Sequence, residues 1–399
     1  MKKCNSETLL KATTLTKIIA NSLNKPLFAG LDIAPSICQL AIQDIEDQTK
    51  IINFQIKPDA LENYLRNMAK DGQKVTVAME SCACSNKWHN VIEGMGHEAI
   101  ILSAKEIKNT ASPYSNKTDY KDAEKILRAL CLHKTTNILT QVHGRSDENM
   151  IEIFLFNLRE FVIKTIEKLN KLINSFLREI TARGHSKSKP KDIIEDLITT
   201  LNDIEGSKSV NNYNETIIKI ATNYFTTLES CVAQIDDTIT EEVKENKALQ
   251  IIKSIPGVNN VIAFGLLAHL GDVTRFSSLK KVSSLKKVSS YLGVAPKVAG
   301  SGGKNAELDT RYKGIKKLKR VLFQGGMSKN RIKQSLCSGK IRKEAQKYAN
   351  KIVRIAVTLL RKGEFFDKNY KDKRFINKHK YKAQGLVEIA KENSIEIAL

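Results

Sequence analysis

The sequence lacks the cysteine spacings that build zinc sites or disulfide frameworks. Its seven cysteines occur singly, except that Cys82 and Cys84 form a C-x-C pair. Structural zinc sites use cysteine and histidine pairs at a different, recurring spacing, and small secreted scaffolds use regularly spaced cysteine sets. We therefore expect reduced thiols and a cytoplasmic protein.

Long apolar runs are also missing. No stretch approaches the roughly 20 apolar residues that a membrane-spanning helix requires, and the basic N-terminal residues are not followed by the apolar segment of a secretory signal. The sequence therefore predicts a soluble protein with no membrane partner.

Acidic residues are outnumbered, with 43 Asp and Glu against 65 Lys and Arg, a net charge of +22. Residues 279–320 contain twelve Lys or Arg and only Glu307 and Asp309, whereas residues 141–250 are nearly balanced. A field of this sign attracts polyanions, so nucleic acid is the predicted partner. The alternative is that the lysines cover solvated helix faces or reflect the codon usage of an A+T-rich genome.

The length of 399 residues predicts two or three packed units. We divide the chain into a polar leader, an α/β domain, a helical coiled-coil region, a mostly α domain and a basic tail. These cover residues 1–25, 26–140, 141–249, 250–365 and 366–399.

The α/β domain shows alternating β-favouring runs followed by amphipathic stretches. We predict strands over 27–33, 36–43, 51–56, 75–79 and 99–102, and helices over 58–70, 85–95 and 118–132. The resulting order, βββαβαβα, is that of an RNase H-like mixed sheet, because its later parallel strands need crossover helices.

The helical region carries apolar residues every three or four positions over 150–182, and a second stripe from Ile217 to Ile235. Joined by the polar stretch 184–213, these predict an antiparallel helical hairpin or a coiled-coil surface. Structural packing is the first interpretation, and self-association is the second.

The mostly α domain opens with SIPGVNNVIAFGLLAHLGD, a helix-hairpin-helix-like segment. Gly257 can adopt the backbone angles of a tight turn and leave amide groups pointing at a phosphate near a helix N-terminus. An ordinary packing joint between two helices is the alternative. Further on, SSLKKV occurs twice in tandem over 277–288, which indicates an insertion, and a helix is predicted over 343–363.

Four acids occupy positions that suit a metal site. Asp32 interrupts an apolar strand and Glu80 ends another, and Asp119 and Asp122 lie three residues apart near a helix start, on one helical face. Clustered carboxylates repel one another unless cations intervene, and such oxygen ligands suit Mg²⁺ or Mn²⁺. A metal site of this kind indicates phosphoryl transfer as the reaction. Taken alone, Asp119 also suits a helix N-cap.

The segments LDIAPSICQLAI, VAMESCA, NKTDYKDAEKI, SIPGVNNVIAFGLLAHLGDVTRF and YLGVAPKVAGSGGK resemble the DEDD-type transposases of the insertion-sequence 110/1111 family, over residues 27–365. The resemblance implies a RuvC-like domain, a coiled coil and a small C-terminal transposase domain. It also implies a homo-oligomer, a dimer or tetramer, that acts on DNA at element ends and target with a structured guide RNA. The four acids match the family's metal-binding acids.

The resemblance further implies a serine that attacks DNA and becomes covalently bound to it. Ser301, in GSGGK, is the best match. Its flanking glycines let the backbone approach a phosphate, and Lys304 offsets phosphate charge, although no neighbouring general base is evident. The alternative is a glycine-rich flexible loop.

The segment RYKGIKKLKRVL resembles the family's basic helix, whose cations contact phosphates without reading sequence. The predicted contacts are Lys313, Lys316, Lys317, Lys319 and Arg320.

Two features depart from the family pattern. The family has one SSLKKV-like segment where this chain has two, and Ser103 and Ala104 replace an asparagine-proline pair. Six extra helical residues would add about 9 Å and turn the outward face by about 240° beyond a full rotation, which would displace Ser301 from the acids. Two alternatives therefore stay open: a junction-resolving nuclease that uses the carboxylates alone, and a decayed, non-catalytic copy that still binds nucleic acid.

Overall fold

The chain divides into two compact units, residues 1–150 and 151–399. The computed structural model describes residues 27–43, 51–110, 119–182, 189–204, 208–276, 281–295, 314–330 and 338–369.

The described part of the first unit contains a six-stranded sheet and four helices. The strands are β1 (Leu27–Asp32), β2 (Cys38–Gln43), β3 (Ile51–Ile56), β4 (Val75–Glu80), β5 (Glu98–Leu102) and β6 (Gln141–Val142). The helices are α1 (Pro58–Lys70), α2 (Ser85–Gly94), α3 (Ala104–Thr110) and α4 (Asp119–Thr136).

The strand order across the sheet is β3-β2-β1-β4-β5-β6. Strands β1 to β3 pair antiparallel, β1, β4 and β5 pair parallel, and β6 closes the edge antiparallel to β5. This mixed sheet fits the predicted RNase H-like domain. The predicted strands and long helices are confirmed to within a few residues, whereas β6 and α3 were not predicted. Strand β6 has two residues and is too short to show a period-2 pattern.

Side chains alternate between the two faces of the sheet, as strand geometry requires. Leu27, Ala29 and Leu31 of β1 pack in one core with α1 and α2. Phe28, on the opposite face, packs with buried residues of α4. The sheet is therefore covered on both sides, and the face that bears Phe28 is the face that α4 covers.

The second unit is helical in its described residues. Its first helix, α5 (Asp147–Thr181), begins just before the division between the units. The others are α6 (Pro190–Asn202), α7 (Lys208–Glu245), α8 (Lys247–Lys253), α9 (Asn260–Leu270), α10 (Lys281–Tyr291), α11 (Lys316–Asn330) and α12 (Ser338–Lys362). A short 3-10 helix, Val273–Phe276, follows α9.

The predicted polar connection 184–213 is wrong in part, because it contains helix α6. Ile193, Leu197 and Leu201 recur every four residues of α6 and are buried against α5 and α7. Its apolar spacing and Pro190 at its first position are ordinary helix signals, but the polar residues on both sides led to its assignment as a connection.

The apolar stripe predicted for α7 is confirmed only in part. Ala221 and Ile235 are buried as predicted, but Tyr224 is 47% exposed and its neighbour Phe225 is buried instead. Long helices α5 and α7 are present as predicted, whereas the coiled coil stays a prediction.

The second core of this unit is built around α9, in which nine of eleven residues are buried. Residues of α8, α10, α11 and α12 pack around it, together with Phe156 of α5 and Ile239 of α7. A helix buried on all sides shows no apolar stripe, which explains why its sequence reads as one continuous apolar run. None of the described helices is long and apolar enough to span a membrane.

Candidate active site and nucleic-acid interface

Asp32 and Glu80 lie side by side at one edge of the sheet. Strands β1 and β4 are parallel neighbours, and Leu31 pairs with Met79. Asp32 and Glu80 are the next residues and the last of their strands. Because alternate residues share a face, both acids follow the face that α4 covers. Crevices outside the carboxyl ends of parallel strands are the usual ligand sites of such sheets.

Helix α4 rests directly on β1 at Gly30. A Cβ atom at Gly30 would lie 2.3 Å from the carbonyl oxygen of Ala123 and 2.5 Å from the backbone nitrogen of Leu127. The start of the helix is tied to β3, where Asn53 Nδ2 donates to the carbonyl oxygen of Tyr120 at 2.7 Å. The absence of a side chain at Gly30 allows this close approach.

The direction of α4 follows from a contact at its other end. Cys131 Sγ lies 3.5 Å from Oε1 of Gln43, the last residue of β2. Since β2 is antiparallel to β1, Gln43 lies near the start of β1 and away from Asp32. Helix α4 therefore runs against β1, and its first turn, with Asp119 and Asp122, lies toward the edge that holds Asp32.

The four acidic side chains do not form a ready cation site. Among the described residues, no group of three or more His, Cys, Asp or Glu side chains is arranged to hold a metal ion. Asp122 Oδ1 instead accepts a hydrogen bond from Lys125 Nζ at 2.9 Å. Both residues belong to α4, so Asp122 is paired within its own helix. The backbone assembles the acids at one edge, and their convergence on a cation stays a prediction.

A buried thiol lies at the same edge. Burial raises the pKa of Cys38, its 3.7 Å hydrogen bond to the Ala34 carbonyl lowers it, and the charges of Asp32 and Cys84 raise it further. The net shift is upward, so the thiol is neutral at physiological pH. Cys38 therefore adds no negative charge beside Asp32.

Three predicted residues of the second unit, Ser301, Lys304 and Lys313, lie outside the described residues. Their roles stay predictions. The described chain resumes at Gly314, just before α11.

The basic helix α11 begins at Lys316, as the resemblance implies, and Lys316 is exposed. Lys317 Nζ donates to the carbonyl oxygen of Asn157 on α5 at 3.3 Å. Lys319 Nζ lies 5.6 Å from the centre of the Phe323 ring. Lys317 is therefore used within the unit.

Arg320 is also held within the unit, by a network of ion pairs with α5. Its Nε and Nη2 atoms donate to Glu160 Oε2 at 3.0 and 2.8 Å, and Nη1 donates to Glu167 at 2.6 Å. Glu160 is 0% exposed and also accepts from Arg159 at 3.4 Å. Burial alone would lower the pKa of Arg159, but its hydrogen bonds and ion pairs with Asp236 and Glu160 raise it.

Glu160 was not predicted from the sequence. It follows Phe156 by four residues, so both lie on the buried face of α5. A carboxylate on an otherwise apolar helix face is costly unless it is paired. That placement was the available signal, and it identifies a structural partner for the Arg320 guanidinium.

Gly257 forms the predicted tight turn between α8 and α9, with a φ of 82°. Tyr348 Oη donates to the carbonyl oxygen of Pro256, and the space beside Gly257 is closed by Tyr348 and the carbonyl oxygen of Gly325. These contacts match the packing-joint interpretation, and phosphate binding at Gly257 stays a prediction. An open cavity of about 420 Å³ adjoins the turn and is lined by Arg159, Gly257, Val258, Asn259, Val261, Ile262, Val321, Gln324 and Gly325.

The second SSLKKV copy forms most of α10 and supplies its core contacts. Val288 and Leu292 are fully buried, and Leu285 packs against the same core. Ser289 Oγ lies 2.9 Å from Asn350 Oδ1 on α12. Most of the first copy lies outside the described residues. Helix α10 precedes Ser301 in the sequence, and residues of the second SSLKKV copy help to fix the position of this helix.

Deleting one copy, residues 277–282, is expected to leave the melting temperature and the recombination activity of the chain nearly unchanged. The deletion keeps the second SSLKKV copy, which contains Leu285 and Val288, and the following Leu292, all of which pack in the core. Thermal unfolding and a plasmid recombination assay on both chains test this. A gain of recombination after the deletion would instead favour the decayed-copy alternative.

The strand order and the mixed pairing of the sheet fit an RNase H-like domain of the DEDD transposase class. A DEDD-type model described as Transposase matches residues 29–181, and the Transposase IS116/IS110/IS902 family model matches residues 249–338. The chain belongs to the IS110 family of insertion-sequence transposases. It is a DNA transposase or recombinase.

Two curated relatives extend across most of the chain. The transposase for insertion sequence element IS1111A of Coxiella burnetii (strain RSA 493 / Nine Mile phase I) is 26% identical over 305 residues, which cover 74% of this chain and 76% of the relative. The transposase for insertion sequence element IS1328 of Yersinia enterocolitica is 23% identical over 304 residues, which cover 73% and 85%.

Proposed function

We propose that this transposase cuts and rejoins DNA strands by metal-dependent phosphoryl transfer with Ser301 as the nucleophile. Mg²⁺ or Mn²⁺ would be held by Asp32, Glu80, Asp119 and Asp122. The observation that supports the proposal is that Asp32 and Glu80 end neighbouring parallel strands, while α4 runs so that its first turn, with Asp119 and Asp122, lies toward the same edge. Their donor set fits a hard divalent cation.

The proposed metal-binding carboxylates belong to the first unit, and the proposed nucleophile, Ser301, belongs to the second. The carboxylates would hold the divalent cation. When bound, the cation would stabilise the charge on the attacking and leaving oxygens. Ser301 Oγ forms a bond to phosphorus while the bond from phosphorus to one strand's oxygen breaks. The hydroxyl proton leaves the serine, and the departing strand oxygen accepts a proton. Reversal of the step with another strand's oxygen rejoins DNA and frees the serine.

The proposed partners follow from the same role. DNA at element ends and target is the substrate, an element-encoded guide RNA selects the sites, and a homo-oligomer holds them together in the cytoplasm. Lys304, Lys313, Lys316 and Lys319 are the proposed phosphate contacts. Lys317 and Arg320 of α11 instead contact α5, so we assign them a structural role.

Asp32→Asn and Ser301→Ala are each expected to reduce recombination on a plasmid that carries element ends and target by about 1,000-fold or more, as when a catalytic nucleophile is removed. The wild-type chain should in addition form a covalent adduct with nicked DNA, detected by mass spectrometry at Ser301. Asp71→Asn is the matched control, because Asp71 is exposed and precedes β4 at the opposite end of the sheet.

The outcomes separate the alternatives. If Ser301→Ala still cleaves DNA while Asp32→Asn does not, the chain is a junction-resolving nuclease. If the wild-type chain binds DNA but neither cleaves nor recombines it with Mg²⁺ or Mn²⁺, the chain is a decayed copy. Sequencing RNA that co-purifies with the chain tests the guide RNA.

A further inference from the structure

Helix α4 carries an ion pair near the edge of the sheet at which the candidate acids lie. Lys125 Nζ donates to Asp122 Oδ1 at 2.9 Å, and the two side chains are only 23% and 24% exposed. The ion pair between Arg66 and Glu62 of α1 lies further out, with side chains 51% and 43% exposed. Buried or partly buried pairs are screened less by water and salt than exposed pairs. The Lys125–Asp122 pair is therefore the stronger of the two.

The pair lies on the side of α4 that faces β4 and β5. Ala129 packs in one cluster with Ala78 of β4 and with buried residues of β5. Lys125 and Asp122 precede Ala129 by four and seven residues, so all three lie on one side of the helix. Glu80 ends β4. Lys125 therefore brings a positive charge to the side of α4 that faces the strand of Glu80.

The backbone that carries Asp122 is fixed against the sheet. The carbonyl oxygen of the next residue, Ala123, occupies the space that the missing side chain of Gly30 leaves open. A change of partner at Asp122 therefore depends on side-chain rotation. Lys125 suits such an exchange, because its ammonium is a compact, strongly hydrated charge on a flexible stem and part of its side chain is exposed.

We propose that Lys125 competes with the divalent cation for Asp122 and so sets the cation concentration at which the proposed metal site is filled. Two positive charges at one carboxylate repel each other, so cation binding at Asp122 weakens or breaks the Lys125 pair. The loss of that pair lowers the affinity of the site for metal. Lys125 is therefore a positioning residue that acts through Asp122. The inference rests on the proposed metal site but not on Ser301.

The test is the binding of Mn²⁺ to the full chain without DNA, with free Mn²⁺ measured by electron paramagnetic resonance. Lys125→Met removes the charge and keeps an unbranched side chain. The dissociation constant for Mn²⁺ should fall about three- to tenfold, as expected when a partly screened ion pair no longer competes. In an Asp122→Asn chain, Lys125→Met should have no such effect, because the carboxylate for which the two cations compete is gone.

Lys134→Met is the matched control. Lys134, in the last turn of α4, donates through Nζ to Glu98 Oε1 at 2.7 Å. Glu98 begins β5, at the end of the sheet opposite Glu80. The Mn²⁺ dissociation constant of this control should equal that of the wild type. An equal change in both lysine variants, or an unchanged or higher dissociation constant in Lys125→Met, would overturn the proposal. Urea unfolding of both variants establishes that the comparison is between folded chains.

Asp32→Asn separates the role of Lys125 from the metal site itself. If Asp32→Asn weakens Mn²⁺ binding while Lys125→Met leaves it unchanged, the metal site stands and the role of Lys125 is overturned. If Asp32→Asn binds Mn²⁺ as the wild type does, the metal site and the role of Lys125 are both overturned.

Discussion

Replacing Gly30 with alanine is expected to destabilise the first unit by about 3 kcal/mol or more, the upper end of the cost of overpacking. The new Cβ atom would lie 2.3 Å from the Ala123 carbonyl oxygen and 2.5 Å from the Leu127 nitrogen. Both are backbone atoms of α4, so no side-chain rotation relieves the clash, and the helix must move away from β1. Because α4 carries Asp119 and Asp122, we expect recombination to be lost as well. Urea unfolding and the recombination assay measure the two effects.

Gly94→Ala is the control for Gly30→Ala. Gly94 ends α2, and no atom lies within 4 Å of the position its Cβ would take. Because alanine favours helix by about 1 kcal/mol over glycine, the control should be neutral or slightly more stable. A Gly30→Ala chain with wild-type stability and activity would contradict the close packing of α4 on β1.

Glu160→Ala is expected to destabilise the second unit by about 3 to 5 kcal/mol, the cost of removing one partner of a buried ion pair. The substitution leaves the guanidinium groups of Arg159 and Arg320 facing each other without the carboxylate that joins them. Arg159 keeps Asp236 and Arg320 keeps Glu167, but both of those acids are more exposed than Glu160. Urea unfolding followed by circular dichroism measures the loss.

Glu167→Ala removes a second partner of Arg320 and is the comparison for Glu160→Ala. Its side chain is 51% exposed, so its loss should cost less than about 1 kcal/mol. Glu160→Gln keeps the shape and an acceptor oxygen, and should fall between the two. Equal effects of Glu160→Ala and Glu167→Ala would show that the buried network does not anchor α11 to α5.

The sequence predicted the first unit well because its signals are local. Strands β1 to β5 alternate or run apolar over five or six residues, and turn-forming residues separate them. The positions of Asp32 and Glu80 at strand ends follow from the same pattern. Strand β6 has only two residues, so it lacks that pattern and depends on its pairing with β5.

The roles of the basic residues were harder to predict, because charge alone does not show what a cation faces. Arg320 and Glu160 are 160 residues apart in sequence, and only their packing shows that they form a pair. In α12 packing has the opposite outcome for the cations. The apolar face of the helix is buried in the core, and Lys351 and Arg354 on the other face stay exposed.

By its own pattern the sequence determined the strand order along the chain and the identity of the candidate acids, because periodicity and acid spacing are properties of neighbouring residues. The transposase class followed from the resemblance of its motifs to a known family. Only the tertiary structure showed that Asp32 and Glu80 end neighbouring strands and that α4 packs closely on Gly30. It also showed that Arg320 forms an ion pair with Glu160. Those outcomes depend on the pairing register and on desolvation, and both arise only when distant segments pack together.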